Sequence, residues 1–167
     1  MSRPTLIVVS GPPGAGKTTL AHALAGGIGC PAICRDEIRE GIVHAGTPDP
    51  EFRTSYRAFA ETVTSLVQAG VTVVAESAFQ DGLWRPLLTP LLPVAKVRIL
   101  RCVVAPEVAR TRIEARAADP IRAAHPGRPV PAGVWTPVAL RVPTLTVDTA
   151  DGWSPALPEV IAWLTGS

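Results

Sequence analysis

The segment LIVVSGPPGAGKTTLAHALAGGI, residues 6–28, constrains the fold more than any other. Its centre fills the pattern G-x-x-x-x-G-K-[ST] with Gly11, Gly16, Lys17 and Thr18. The run before it is short, apolar and β-branched, as a strand buried on both faces must be. The run after it places Leu20, Leu24 and Ile28 on one helical face, and Gly29 is a suitable stop. A doubly buried strand feeding a glycine loop and then a helix belongs to a parallel sheet covered by helices.

The remaining chain repeats that alternation. Further strands are predicted at residues 31–34, 71–75, 97–104 and 144–147, after the first at 5–9. Helices are predicted at 17–28, 36–44, 83–92, 106–118 and 157–164. The clearest helix repeats Phe52, Tyr56, Phe59, Val63, Leu66 and Val67, with Gly70 at its end. Asp49 would cap it and Pro50 would take its first position. Residues 119–131 hold four prolines and two arginines and read as a lid. The expected fold is α/β: a five-stranded parallel sheet with helices on both faces, in one domain spanning 1–167, with a lid at about 116–131.

The glycine loop has a definite chemistry. Glycines turn successive backbone N–H groups inward to form an anion nest, and the helix N-terminus adds partial positive charge. The loop residues Gly11, Pro12, Pro13, Gly14, Ala15, Gly16, Lys17, Thr18 and Thr19 are therefore the expected nucleotide-phosphate site. Lys17 would reach the β- and γ-phosphates, and the Thr18 hydroxyl would ligate Mg²⁺. The chain contains no Asn, so it lacks the N-K-x-D motif by which ordinary GTPases read guanine. ATP is the expected nucleotide, with GTP an alternative donor.

Two further places carry charge at strand ends. The second strand is followed by RDEIR, residues 35–39. Ligands of open parallel sheets lie at the carboxyl ends of the strands, so Asp36 should lie near the phosphates. Asp36 and Arg39 share a helix face; the carboxylate could take a proton from an attacking hydroxyl and the arginine could bind the acceptor or the charge in transit. Read singly, Asp36 would be a helix cap. The third strand, VVAE, ends in Glu76, the place of an acid that holds Mg²⁺ through water.

With GPPGAGKTT followed by CRDEIR, the chain resembles the small P-loop kinases of the polynucleotide 5′-hydroxyl kinase type, grouped under an AAA-like label. It also resembles chloramphenicol phosphotransferase through Pro50-Glu51-Phe52-Arg53, Ala69-Gly70-Val71 and the aspartate after the second strand. The resemblance implies a P-loop NTPase fold, Asp36 as general base and Arg39 on the acceptor side. It also implies a lid arginine that reaches the donor phosphates, Arg116 before Arg112. Glu76 stands where the family more often has Asp.

Composition narrows the partners. A net charge of +2 does not mark a nucleic-acid binder. A small molecule, a nucleoside and a polynucleotide 5′ end all remain as hydroxyl acceptors. Three cysteines without a secretory leader suit reduced thiols in the cytoplasm, and no apolar run is long enough to span a membrane. Scattered histidines and cysteines give no spacing motif for a protein-only metal cage. The alternative to a kinase is a nucleotide-binding regulator without a phosphoacceptor.

Overall fold

Side chains alternate across each strand, and in the central strands both sides are apolar. The computed structural model describes residues 2–49, 52–119 and 135–166. Along β1 (Thr5–Ser10), Leu6 and Val8 enter one core while Ile7 and Val9 enter another. The same division recurs in β3 (Val73–Glu76), where Val73 and Ala75 oppose Val74, and in β4 (Lys96–Val103), where Val97 and Ile99 oppose Leu100 and Cys102. A sheet buried this way needs helices on both faces.

They are supplied in chain order. One face is covered by α1 (Lys17–Ile28) and the last helix, α6 (Leu157–Thr165), through Leu20, Leu24, Val160 and Leu164. The other is covered by α3 (Arg53–Gln68) and α4 (Asp81–Leu88), through Phe59, Val63, Val67 and Trp84. With β2 (Ala32–Cys34) and β5 (Thr144–Asp148), the strands form one sheet in the order β2-β3-β1-β4-β5. Every pairing in it is parallel. The register sets Val9 opposite Glu76 and Cys34 opposite Glu76, so three strands end at one level.

The predicted architecture is present, with shifts at several boundaries. β3 starts at Val73, because residues 71 and 72 follow the end of α3 without pairing. The helix expected at 83–92 is α4 from Asp81 plus a single 3₁₀ turn at Thr89–Leu91, where Pro90 interrupts the α pattern. α2 (Arg35–His44) opens one residue earlier than predicted, and α5 spans Pro106–Ala117. α3 opens at Arg53 rather than at Pro50, because Phe52 before it has left-handed backbone, with φ 57°. Asp49 still serves its N-terminus: its carboxylate accepts the Thr54 amide at 3.1 Å and the Ser55 amide at 3.3 Å. Pro50, Glu51 and the lid from residue 120 through 131 lie outside the described residues.

Candidate functional site

The loop between β1 and α1 is fixed from below and from the side. Gly14 has φ +80°, and a Cβ there would lie 2.6 Å from the Ala109 carbonyl of α5. Only glycine therefore lets α5 press on the loop. Arg112, one turn further along α5, donates to the Gly14 carbonyl at 3.3 Å and to the Thr149 hydroxyl at 3.2 Å. It also bonds the Thr149 and Ala150 carbonyls. The buried Thr149 hydroxyl in turn donates to the Ala15 carbonyl at 2.7 Å. Arg112, expected at the phosphates, straps the loop to the segment after β5. Thr149 was not singled out from the sequence. Its only local sign was the turn-like stretch VDTADG, in which Asp148 accepts the Ala150 amide.

Lys17 begins α1 and is only 7% exposed; its ammonium donates to the Pro12 carbonyl at 2.9 Å. Burial lowers its pKa, against the opposing pull of Glu76, Cys102 and Asp36; the charge of Arg116 lowers it further. Glu76, 2% exposed, accepts from the Thr18 hydroxyl at 3.1 Å. Burial raises its pKa and the Asp36 charge adds to this, while Lys17 and hydrogen bonds from Thr18 and Cys34 act the other way. The structure thus brings together Lys17, Thr18 and Glu76 at the carboxyl ends of β1 and β3. Asp36 and Arg116 lie close enough for their charges to act on Lys17. A hydroxyl and a carboxylate are the hard oxygen donors that Mg²⁺ takes, so Thr18 and Glu76 fit that ion.

Asp36 is not the cap of its helix. Cys34 occupies the N-cap position and no side chain caps it. The Asp36 carboxylate is 59% exposed and pairs with Arg35 at 2.9 Å. Arg35 is held between two rings, 5.0 Å from the Phe52 centroid and 5.6 Å from that of Phe79. Its Nε and Nη1 are buried without hydrogen-bond partners among the described residues. Arg39 stacks on the same Phe52 ring at 4.9 Å. Two guanidinium groups and one carboxylate therefore share an aromatic-backed wall beside the phosphate loop. The sequence indicated Asp36 and Arg39 but not the ring between the arginines. The left-handed Phe52 that supplies this ring is the kind of conformation that concentrates at functional sites.

The segment from Trp135 to Ala139 packs on the loop after β3, which carries Phe79. Trp135 donates through Nε1 to the Ala78 carbonyl at 3.1 Å, and Asp81 accepts the Ala139 amide at 2.8 Å. Asp81 also forms an ion pair with Arg85 within α4. The Trp135 indole N–H is thus committed to the loop after β3.

No curated protein matches this sequence. Among solved structures, a candidate kinase from Chloroflexus aurantiacus j-10-fl is 28% identical, with a TM-score of 0.81 over 98% of this chain and 97% of that one. The Mycobacterium tuberculosis APS kinase CysC, solved with AMPPNP and APS, is 18% identical, with a TM-score of 0.65 and 100% of both chains covered. A chain of the Pnkp1/Rnl/Hen1 RNA repair complex is 15% identical, with a TM-score of 0.61, over 78% of this chain and 41% of that one. Residues 6–130, from β1 through α5 and beyond, match the family model described as an AAA domain, and the chain belongs to that family, as a P-loop kinase domain.

Proposed function

We propose that the protein is an ATP-dependent phosphotransferase that moves the γ-phosphoryl group to a hydroxyl of a small molecule, a nucleoside or a polynucleotide 5′ end. The observation that carries the reading is the placement of one exposed carboxylate. The Asp36 charge acts on both Lys17 and Glu76, yet its side chain opens to solvent beside two stacked arginines. A general base must face both the phosphate crevice and an incoming alcohol, and that is the role this reading gives Asp36.

In this reading the nest from Gly11 to Thr19 holds the nucleotide phosphates, with Lys17 on the β- and γ-groups. Thr18 would hold Mg²⁺ and Glu76 would hold it through water; when bound, the ion neutralises phosphate charge. Asp36 orients the acceptor hydroxyl and takes its proton. Arg39 and Arg35 hold the acceptor against the Phe52 ring. Arg116 in the last turn of α5 offers positive charge toward the transferring group, while Arg112 keeps the loop in shape. GTP is the alternative donor. The whole of 1–167 acts as one catalytic unit. Its free Cys30, Cys34 and Cys102 suit the cytoplasm, and no described helix is long and apolar enough to cross a membrane.

An acceptor panel with γ-labelled ATP tests this directly. It should include 5′-hydroxyl oligonucleotides, nucleosides, sugars and chloramphenicol-like alcohols, and at least one should become labelled. Asp36→Asn should keep ATP affinity and lose turnover by about 10²–10⁴-fold, the range of general-base catalysis. Lys17→Ala should lose both. A fully active Asp36→Asn variant would remove the base from the mechanism, and slow ADP release with no labelled acceptor would favour a regulator.

A further inference from the structure

Away from the phosphate loop, three side chains distant in sequence converge at the β2 edge of the sheet. His22 comes from the middle of α1, Cys34 from the end of β2 and Glu37 from the first turn of α2. Their donor atoms all lie within 4.8 Å of one another. His22 Nε2 is 2.6 Å from Glu37 Oε1 and 3.8 Å from Cys34 Sγ. Nothing in the proposed phosphotransfer uses any of the three.

The distances come near those of a coordination sphere. A tetrahedral zinc ion with sulfur at about 2.3 Å and nitrogen and oxygen at about 2.0–2.1 Å separates its ligands by about 3.4–3.6 Å. The sulfur–imidazole spacing is already within a few tenths of an ångström of that. The imidazole–carboxylate spacing must open by under about 1 Å. Glu37 is half exposed, at 48%, and a side-chain rotation suffices. All three ligands stand on regular elements, so the fold and not a loop sets their positions. The donor set also selects. Thiolate and imidazole favour zinc-class ions, whereas Mg²⁺ prefers oxygen alone.

We propose that His22 Nε2, Cys34 Sγ and Glu37 Oε1 form a binding site for a zinc-class divalent cation, with the fourth coordination position open to solvent. On binding, the Cys34 thiol proton passes to solvent, and the proton of the His22 Nε2–Glu37 Oε1 hydrogen bond leaves Nε2 for solvent, with the imidazole's one remaining proton on Nδ1 and the Nε2 lone pair facing the metal. The site is separate from the hard-oxygen pair of Thr18 and Glu76 but adjoins it. Cys34 is the register partner of Glu76 on the neighbouring strand. A cation on Cys34 therefore sits one side chain from the phosphate cleft.

The test is a titration of the metal-free full-length chain with Co²⁺, followed by absorbance, then displacement by Zn²⁺ against a chromophoric chelator. One equivalent should bind, with a thiolate-to-cobalt charge-transfer band and tetrahedral visible bands. Zn²⁺ should displace it and millimolar Mg²⁺ should not. Cys34→Ser should abolish the charge-transfer band. Each of Cys34→Ser and His22→Ala should weaken Zn²⁺ by at least about tenfold, since loss of even an outer-shell partner costs that much. Cys30→Ser should change nothing. A spectrum without the sulfur band overturns the proposal, and so does a His22→Ala variant that binds like the native chain. His22 is half exposed on its helix, so that variant serves even where Cys34→Ser does not fold. None of these readings depends on phosphoryl transfer, so this site and the kinase reading fail separately.

Discussion

One buried hydroxyl, that of Thr149, touches three pieces of the phosphate site. It donates to Ala15 in the loop and accepts from Arg112 of α5, and its own backbone amide continues the pairing with Val103. Thr149→Val keeps the shape and removes both hydrogen bonds, leaving the Ala15 carbonyl buried without that donor. The loss should be about 1–3 kcal/mol, the usual cost of a stranded buried polar group. Part of it should appear as ATP affinity weakened about 5–30-fold by calorimetry, for 1–2 kcal/mol felt at the loop. Unchanged affinity would mean that the loop holds its shape without this strap. Lys17 and Thr18 were legible in the sequence because the chemistry of a phosphate loop lies within nine consecutive residues. Thr149 was not, because its partner lies 134 positions away and no local pattern records that contact. The contacts of Arg112 were hidden for the same reason. An arginine on an exposed-looking helix face reveals its charge in the sequence but not which carbonyls it meets.

At the scale of elements, the start of α3 shows how a boundary and a function were read apart. The capping residue was legible: Asp, then Pro, before a helical period. The true first residue was not, because Phe52 takes a left-handed backbone that β-branched and bulky residues rarely adopt. Burial alone would raise the pKa of Asp49. Hydrogen bonds from the Ser55 side chain and from the Thr54 and Ser55 amides, with the Arg39 charge, outweigh it and hold the carboxyl below its usual range. A lowered folded-state pKa contributes stability above the unfolded value of about 3.9 and loses it as pH falls through the folded value. Asp49→Ala should therefore cost about 1–2 kcal/mol in urea unfolding at neutral pH, as caps do. The gap to the native chain should close as the titration is repeated at progressively lower pH, below 4. A pH-independent gap would assign Asp49 a packing role instead.

Over the whole molecule, the alternation of strands and helices was legible, and with it the two-faced parallel sheet. The strand order was not, since nothing local says that β3 and β4 flank β1. Nor was the aromatic cluster that underlies the wall of stacked arginines. Phe59, Phe79 and Trp84 meet edge to face at 5.4–5.7 Å, and Phe79 lies beneath Arg35. Trp84 is fully buried and its indole nitrogen has no partner among the described residues. Trp84→Ala should cost about 3–5 kcal/mol. Trp84→Phe should cost much less, because it removes the stranded donor along with the lost volume. Thermal unfolding of the pair measures this, and equal losses would contradict it.

Because β1 is sandwiched between β3 and β4, it gains one strand neighbour during synthesis at residue 76 and its second only at residue 101, and its loop lacks one anchor until residue 149. A nascent chain arrested at 103 would display the complete nucleotide motif yet fail to retain ATP. Gain of binding during synthesis should thus come late and abruptly, set by residue 149 rather than by the motif at residues 11–19.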